Sequence, residues 1–269
     1  MKPGDDRTLL GVGAQAVRRE PILRWMERPV AGALALSVGA WAVLAWLALD
    51  MGHPLAQLTM PASPHWSAAN VAAVLVMWAV MMAAMMLPSA LPMVHTFARL
   101  GREGAGEAPA RARAFVAAYL VVWCAFSLLA SAAQWALQAL DWVDPMVVST
   151  SAGLTAALLL IAGAYQFSPL KRLCLAGCRT PLGFLLGEWR AGVSGAFVMG
   201  LRHGLLCLGC CWALMALLFV GGAMNLPWVA ALSVAVAIEK LAPQGARLAG
   251  WLGVALIGAG LWHLWRLLA

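Results

Sequence analysis

Residues 202–212 read RHGLLCLGCCW and lie inside an apolar run from about 193 to 220. Such a run can cross a bilayer as a helix, which needs about 20 residues. On a helix, His203, Cys207 and Cys211 recur every four residues and share one face, with Cys210 beside them. An imidazole and three thiols are costly in hydrocarbon unless they bind something or pack inside protein. We therefore interpret the rest of the chain as a helical scaffold around this face.

The composition is that of a membrane protein. Of the 269 residues, 63% are hydrophobic and only 11% are charged, whereas soluble domains carry about 25% charged residues. The net charge of +7 is explained by basic residues gathered on one side of a membrane, so it predicts no nucleic-acid partner. The sequence predicts an all-α, polytopic membrane helix bundle surrounded by lipid.

Hydropathy predicts about seven transmembrane spans, with six possible because the sixth is short. Their approximate ranges are 30–49, 68–95, 113–140, 146–167, 193–221, 226–240 and 246–267. A cytoplasmic N-terminus places all but two of the 18 Lys and Arg residues on the inner side, as the positive-inside rule requires. The chain then divides into a basic cytoplasmic N-terminal segment, residues 1–28, and a single transmembrane helical domain, residues 29–269.

The His-Cys face of the fifth span predicts a metal site. Thiolate and imidazole ligands favour Cu(I), Zn(II) or iron–sulfur chemistry over Mg or Ca. The predicted ligands are His203, Cys207, Cys210 and Cys211. The alternative is that these cysteines only pack as small apolar residues, which is the better interpretation for Cys124, alone in the third span.

Methionines in the second span offer further sulfur. Met77, Met81 and Met85 recur every four residues, with Met82 and Met86 beside them. A rise of about 1.5 Å per residue predicts Met81 and Met82 at the depth of Cys207. Thioether added to thiolate favours Cu(I), with Zn(II) also possible, so Met81 and Met85 join the predicted ligands. A methionine stripe that only fills the core is the competing interpretation.

Cys174 and Cys178 lie one helical turn apart in a segment predicted to form an inner loop. Because cytoplasmic thiols stay reduced, a ligand role there is favoured over a disulfide, and two unreactive cysteines remain an alternative. Glu239 closes the sixth span. We predict it either as a partner that orients His203 or, with Lys240, as a pair reaching the membrane surface.

Several phrases together resemble a known family. They are WAVMMAAMMLP at 78–88, AGAYQ at 162–166, PLKRLC at 169–174, CR at 178–179, GCCWALM at 209–215, GAMNL at 222–226 and EK at 239–240. The chain from about 71 to 250 resembles a bacterial family of unknown function described as predicted metal-binding integral membrane proteins. The resemblance implies metal binding and a multi-pass location in the bacterial inner membrane. It names no metal and no reaction.

The leading hypothesis is a membrane protein that binds a soft metal, copper before others, for transport, delivery or homeostasis, with a metal-handling protein as partner. No phosphate-binding loop, Ser-His-Asp spacing or cofactor fingerprint occurs, which favours a binding protein over an enzyme. A membrane thiol oxidoreductase or quinone-linked enzyme is one alternative. An assembly or scaffold subunit, whose cysteines only pack, is another.

Overall fold

Every regular element of the computed structural model is helical within the residues that it describes, 7–100 and 107–269, of which 7–27 are described by their backbone only. The helices are α1 Arg7–Leu49, α2 Pro54–Thr59, α3 Ala68–Leu100, α4 Ala108–Ala139, α5 Ala152–Tyr165, α6 Pro169–Arg179, α7 Pro181–Glu188, α8 Gly192–Ala216, α9 Leu218–Gly221, α10 Leu226–Leu241 and α11 Gly245–Leu268. The predicted all-α class is confirmed. Of the predicted N-terminal segment, 1–28, residues 1–27 lie outside the part of the chain whose side chains the structure describes.

Five segments are long and apolar enough to cross a membrane: Arg28–Leu49, Ala68–Leu100, Ala108–Ala139, Gly192–Gly221 and Gly245–Leu268. The predicted fourth span, 146–167, corresponds to α5, which meets α6 at an angle of 63°; the two helices together make a sixth candidate. The predicted sixth span is α10, whose 16 residues fall short of the length that a span requires. Five or six spans are therefore supported, and the count of seven is not confirmed.

The helices pack in pairs: α4 against α8, α5 against α11, and α3 against both α1 and α4. Small residues allow two of these contacts. A Cβ added at Gly200 of α8 would lie 2.9 Å from the Cβ of Ala118 on α4. One added at Gly163 of α5 would lie 2.9 Å from the backbone of α11 at Gly253. Close approach at small residues is how helices associate where there is little hydrophobic drive between them.

Helix α3 continues through Pro88 and Pro92, and α1 satisfies the carbonyl that Pro88 leaves without its helical partner. Pro88 cannot donate to the carbonyl of Ala84 four residues earlier. That carbonyl instead accepts from Ser37 Oγ at 3.0 Å and from Trp41 Nε1 at 3.1 Å, both on α1. In an apolar interior the carbonyl needs such a replacement donor, because no water is there to hydrogen-bond to it. The proline segment is thus fixed inside protein, next to the candidate site.

Candidate functional site

The His-Cys face of α8 points into the bundle. His203 is 3% exposed, and Cys207, Cys210 and Cys211 are each 1% exposed. The opposite face of α8 carries Leu205 and Trp212, which are exposed. The spacing of four residues therefore places the thiols where the sequence predicts, in the core rather than on the outer surface.

Helix α6 brings two more thiols to the same place. Ser168 caps its N-terminus, because the Ser168 hydroxyl accepts from the Leu170 amide, and the bend after α5 turns the helix against α8. Cys178 packs against the buried core that contains Cys207, Cys210 and Cys211. Cys174 lies over Gly209, where an added Cβ would stand 2.7 Å from its sulfur. The segment predicted to form an inner loop is instead the helix α6, which packs in the bundle and brings Cys174 and Cys178 against the core that contains the α8 cysteines.

The thioether that meets the thiols belongs to Met86, 3.9 Å from the Cys211 sulfur. Met81 and Met85 are buried in the same core, but neither has a recorded polar contact between its sulfur and a thiol of the described residues. Cys207 lies near the turn of α3 that holds Met86, because the Tyr119 hydroxyl is 3.1 Å from both the Met86 carbonyl and the Cys207 sulfur. Helix α3 starts where predicted and continues past the predicted end at residue 95 to Leu100.

Tyr119 of α4 contacts both α3 and α8 beside the thiols. Its hydroxyl donates to the Met86 carbonyl at 3.1 Å and lies 3.1 Å from the Cys207 sulfur. The other tyrosine of the chain, Tyr165, donates to the carbonyl of Gly209, two residues after Cys207 on α8. Both tyrosines of the sequence thus hydrogen-bond at this site.

Lys240 is the charged group nearest the thiols. It is 6% exposed, and its Nζ donates to the Cys207 sulfur at 2.9 Å and to Ser89 Oγ at 3.1 Å. The predicted membrane-surface location of Lys240 is therefore wrong. The end of α10 lies within the bundle, against α3 and α8.

Glu239 does not orient His203, contrary to one of the two predictions for it. Its carboxylate accepts from Lys171 Nζ at 2.6 Å and from Gln166 Nε2 at 3.0 Å. Arg179 completes this junction by donating to the Glu239 carbonyl at 3.0 Å. Because Lys171 and Arg179 are on α6, the junction fixes both ends of the helix that carries Cys174 and Cys178.

His203 lies among aromatic rings, 5.6 Å from Tyr119 and 5.9 Å from Phe115 between centroids. Its Nδ1 is buried and has no hydrogen-bond partner among the described residues. Buried polar atoms are rarely left unpaired in native proteins. The open nitrogen, one turn from Cys207, keeps His203 a candidate ligand.

In chemical terms, the site is a group of sulfur atoms held by three helices. The name "thiol cluster" is used below for Cys178, Cys207, Cys210 and Cys211. Together with Met86 it offers soft donors and no carboxylate oxygen, which suits a thiophilic ion rather than a hard one. In the described part of the chain, no three His, Cys, Asp or Glu side chains already stand in the arrangement of a closed metal site. Ligation would therefore require small side-chain adjustments within the cluster.

Sequence reasoning missed three groups here: Tyr119, Lys171 and Lys240. A signal was present for the two lysines, because each lies beside an apolar segment where a cation is costly without a partner. No comparable signal marked Tyr119, whose role depends on the packing of α4 against α8.

A family model described as a copper chaperone, PpoB2, matches residues 75–263. The match covers the thiol cluster, Met86 and the Glu239 junction. No curated protein and no solved structure shows significant similarity to the chain.

Proposed function

The chain belongs to the PpoB2 family of copper chaperones, and we propose that it holds Cu(I) inside a membrane-embedded helix bundle and delivers it to an acceptor protein. The observation that supports this most strongly is that Cys178 on α6 packs against the buried core that contains Cys207, Cys210 and Cys211 of α8. It joins thiols from two helices in a core that excludes water.

The proposed ligands are the thiol cluster, with Met86 beside it and His203 one turn away. Cu(I) is proposed over Zn(II) because two or three sulfur donors satisfy Cu(I), whereas structural zinc sites use four ligands in a tetrahedron. Met81 and Met85, buried on the same helix as Met86, are proposed as further thioether contacts along the path that copper takes.

The proposed setting is the bacterial inner membrane, with the N-terminus in the cytoplasm. Large apolar side chains exposed on the helices, such as Leu129 and Trp251, fit a surface in contact with lipid. The basic residues support the orientation, since all but two of 18 lie toward one side in a seven-span arrangement. In that arrangement α10 is a short crossing whose inner end stays within the bundle.

Helix α6 is the proposed route for delivery. Cys174 and Cys178 are partly buried, whereas the three α8 cysteines are fully buried. Copper leaving α8 would therefore meet the α6 thiols before the surface. A metal-handling partner protein that presents its own thiols could then accept it by ligand exchange, as soft metal ions pass between thiolates.

The test is copper retention by purified protein loaded with Cu(I) under reducing conditions in detergent. The variant Cys207→Ser/Cys211→Ser should lose most of the bound copper, because serine oxygen is a poor ligand for Cu(I). The matched control is Cys124→Ser, which removes an exposed thiol of α4 and should retain as much copper as wild type. Equal retention in both variants would reject the proposal. Disulfide formation without copper binding would favour the thiol oxidoreductase alternative.

A further inference from the structure

Lys240 presents a buried cation next to the thiol cluster, and its partners are unusual. Its Nζ donates to one sulfur, that of Cys207, and to the hydroxyl of Ser89. The neighbouring carboxylate, Glu239, is engaged by Lys171 at 2.6 Å. Neither of the two ion pairs among the described residues includes Lys240. A cation in an apolar interior requires a compensating negative charge close by.

We propose that Lys240 is the built-in counter-ion of the copper site and favours monovalent cargo. The inference rests on the proposed function. It concerns which ion the thiol cluster prefers, because copper binding alone would not require a cation at this position.

The argument follows from counting charges. Two thiolates that bind Cu(I) form a group with one net negative charge. The Lys240 ammonium, already 2.9 Å from the Cys207 sulfur, cancels that charge. Two thiolates that bind a divalent ion form a neutral group and leave Lys240 without a counter-charge. Since opposite charges a few ångströms apart interact strongly where water is excluded, the difference favours the monovalent ion.

Ser89 helps to define this role. Its hydroxyl accepts from Lys240 at 3.1 Å and donates to the Met86 carbonyl at 3.0 Å. It thereby links the ammonium to the turn of α3 that presents the Met86 thioether. Ser89 supplies no charge, so it positions Lys240 but cannot replace Cys207 as its compensating group.

The experiment compares ions that share the two-thiolate geometry and differ in charge. Cu(I) and Ag(I) are monovalent and Hg(II) is divalent, and all three bind linearly between two thiolates. Affinities would be measured on full-length protein in detergent, by competition with a Cu(I) chelator or with glutathione, in a Cys124→Ser background. The variant Lys240→Met should lower Cu(I) and Ag(I) affinity at least about tenfold. Hg(II) retention should stay unchanged or rise.

Control variants separate charge from shape. Lys240→Arg keeps the charge, and Ser89→Ala keeps Lys240, so both should hold Cu(I) within about threefold of wild type if charge decides. If Lys240→Met does not fold, Lys240→Gln removes the same charge while retaining a donor for Ser89. The inference would be overturned if Lys240→Met lowered the affinities for Cu(I) and Hg(II) equally, or left the Cu(I) affinity unchanged. The proposed function would stand in either case. Failure of wild-type protein to bind Cu(I) would instead reject the proposed function.

Discussion

The buried pair of Lys171 and Glu239 gives the sharpest test of how the thiols are brought together. The two side chains are 2% and 4% exposed, with Nζ and Oε2 2.6 Å apart. Glu239→Gln preserves the shape and leaves the Lys171 ammonium buried without an anion. Breaking a buried pair in this way costs about 3–5 kcal/mol of unfolding free energy. The same change should loosen α6, because its first turn would lose its attachment to α10.

The chain supplies a matched control in its other ion pair. Arg202 and Glu188 are 47% and 35% exposed, and an exposed pair contributes about 0–1 kcal/mol. Glu188→Gln should therefore change the unfolding free energy little. Replacing both buried partners, as in Lys171→Met/Glu239→Met, should recover most of the stability, since no unpaired charge remains.

The assay has two readouts on each variant. Denaturant titration in mixed micelles gives the unfolding free energy, and maleimide labelling of native protein gives the accessibility of Cys178. Glu239→Gln should lose about 3 kcal/mol or more and label faster at Cys178. The reasoning is refuted if Glu239→Gln costs no more than Glu188→Gln, or if Cys178 labelling stays at the wild-type rate.

Two further predictions concern the core around the cluster. Met86→Leu should weaken copper retention several-fold, because the Met86 sulfur lies 3.9 Å from the Cys211 sulfur. Met81→Leu should retain as much copper as wild type. Equal copper retention by the two variants would contradict the assignment of Met86 as the thioether at the site. Gly200→Ala should lower the free energy of unfolding by about 1–3 kcal/mol, since its Cβ would meet α4. Gly39→Ala, where nothing lies within 4 Å of the added Cβ, should instead raise the free energy of unfolding by about 0.5–1 kcal/mol. If both glycine variants changed the stability in the same direction, close packing of α4 on α8 would be contradicted.

Local spacing was sufficient to predict the inward face of α8. A helix with thiols every four residues must turn them to one side, and hydrocarbon disfavours polar groups on the outer side. The depth of the methionine stripe could not be predicted in the same way. It depends on how α3 packs against its neighbours, for example through the Ala84 carbonyl, which accepts from Ser37 and Trp41 of α1.

The lysines show where charge counting along a sequence fails. The positive-inside rule treats Lys171 and Lys240 as solvated residues at a membrane surface. Both are buried, one against Glu239 and the other against Cys207. These partners are 68 and 33 residues away in sequence, so only the packing of α6, α8 and α10 reveals them. The same packing places Cys178, predicted in an inner loop, in the thiol cluster, with Cys174 beside it.

The ligand shell of bound copper tests the central claim most directly. X-ray absorption at the copper edge would be measured on wild-type protein loaded with Cu(I) in detergent. The thiol cluster predicts a shell of two or three sulfur atoms, with at most one nitrogen from His203. A shell made mainly of nitrogen or oxygen atoms would contradict the claim that the thiols of α6 and α8 hold the ion.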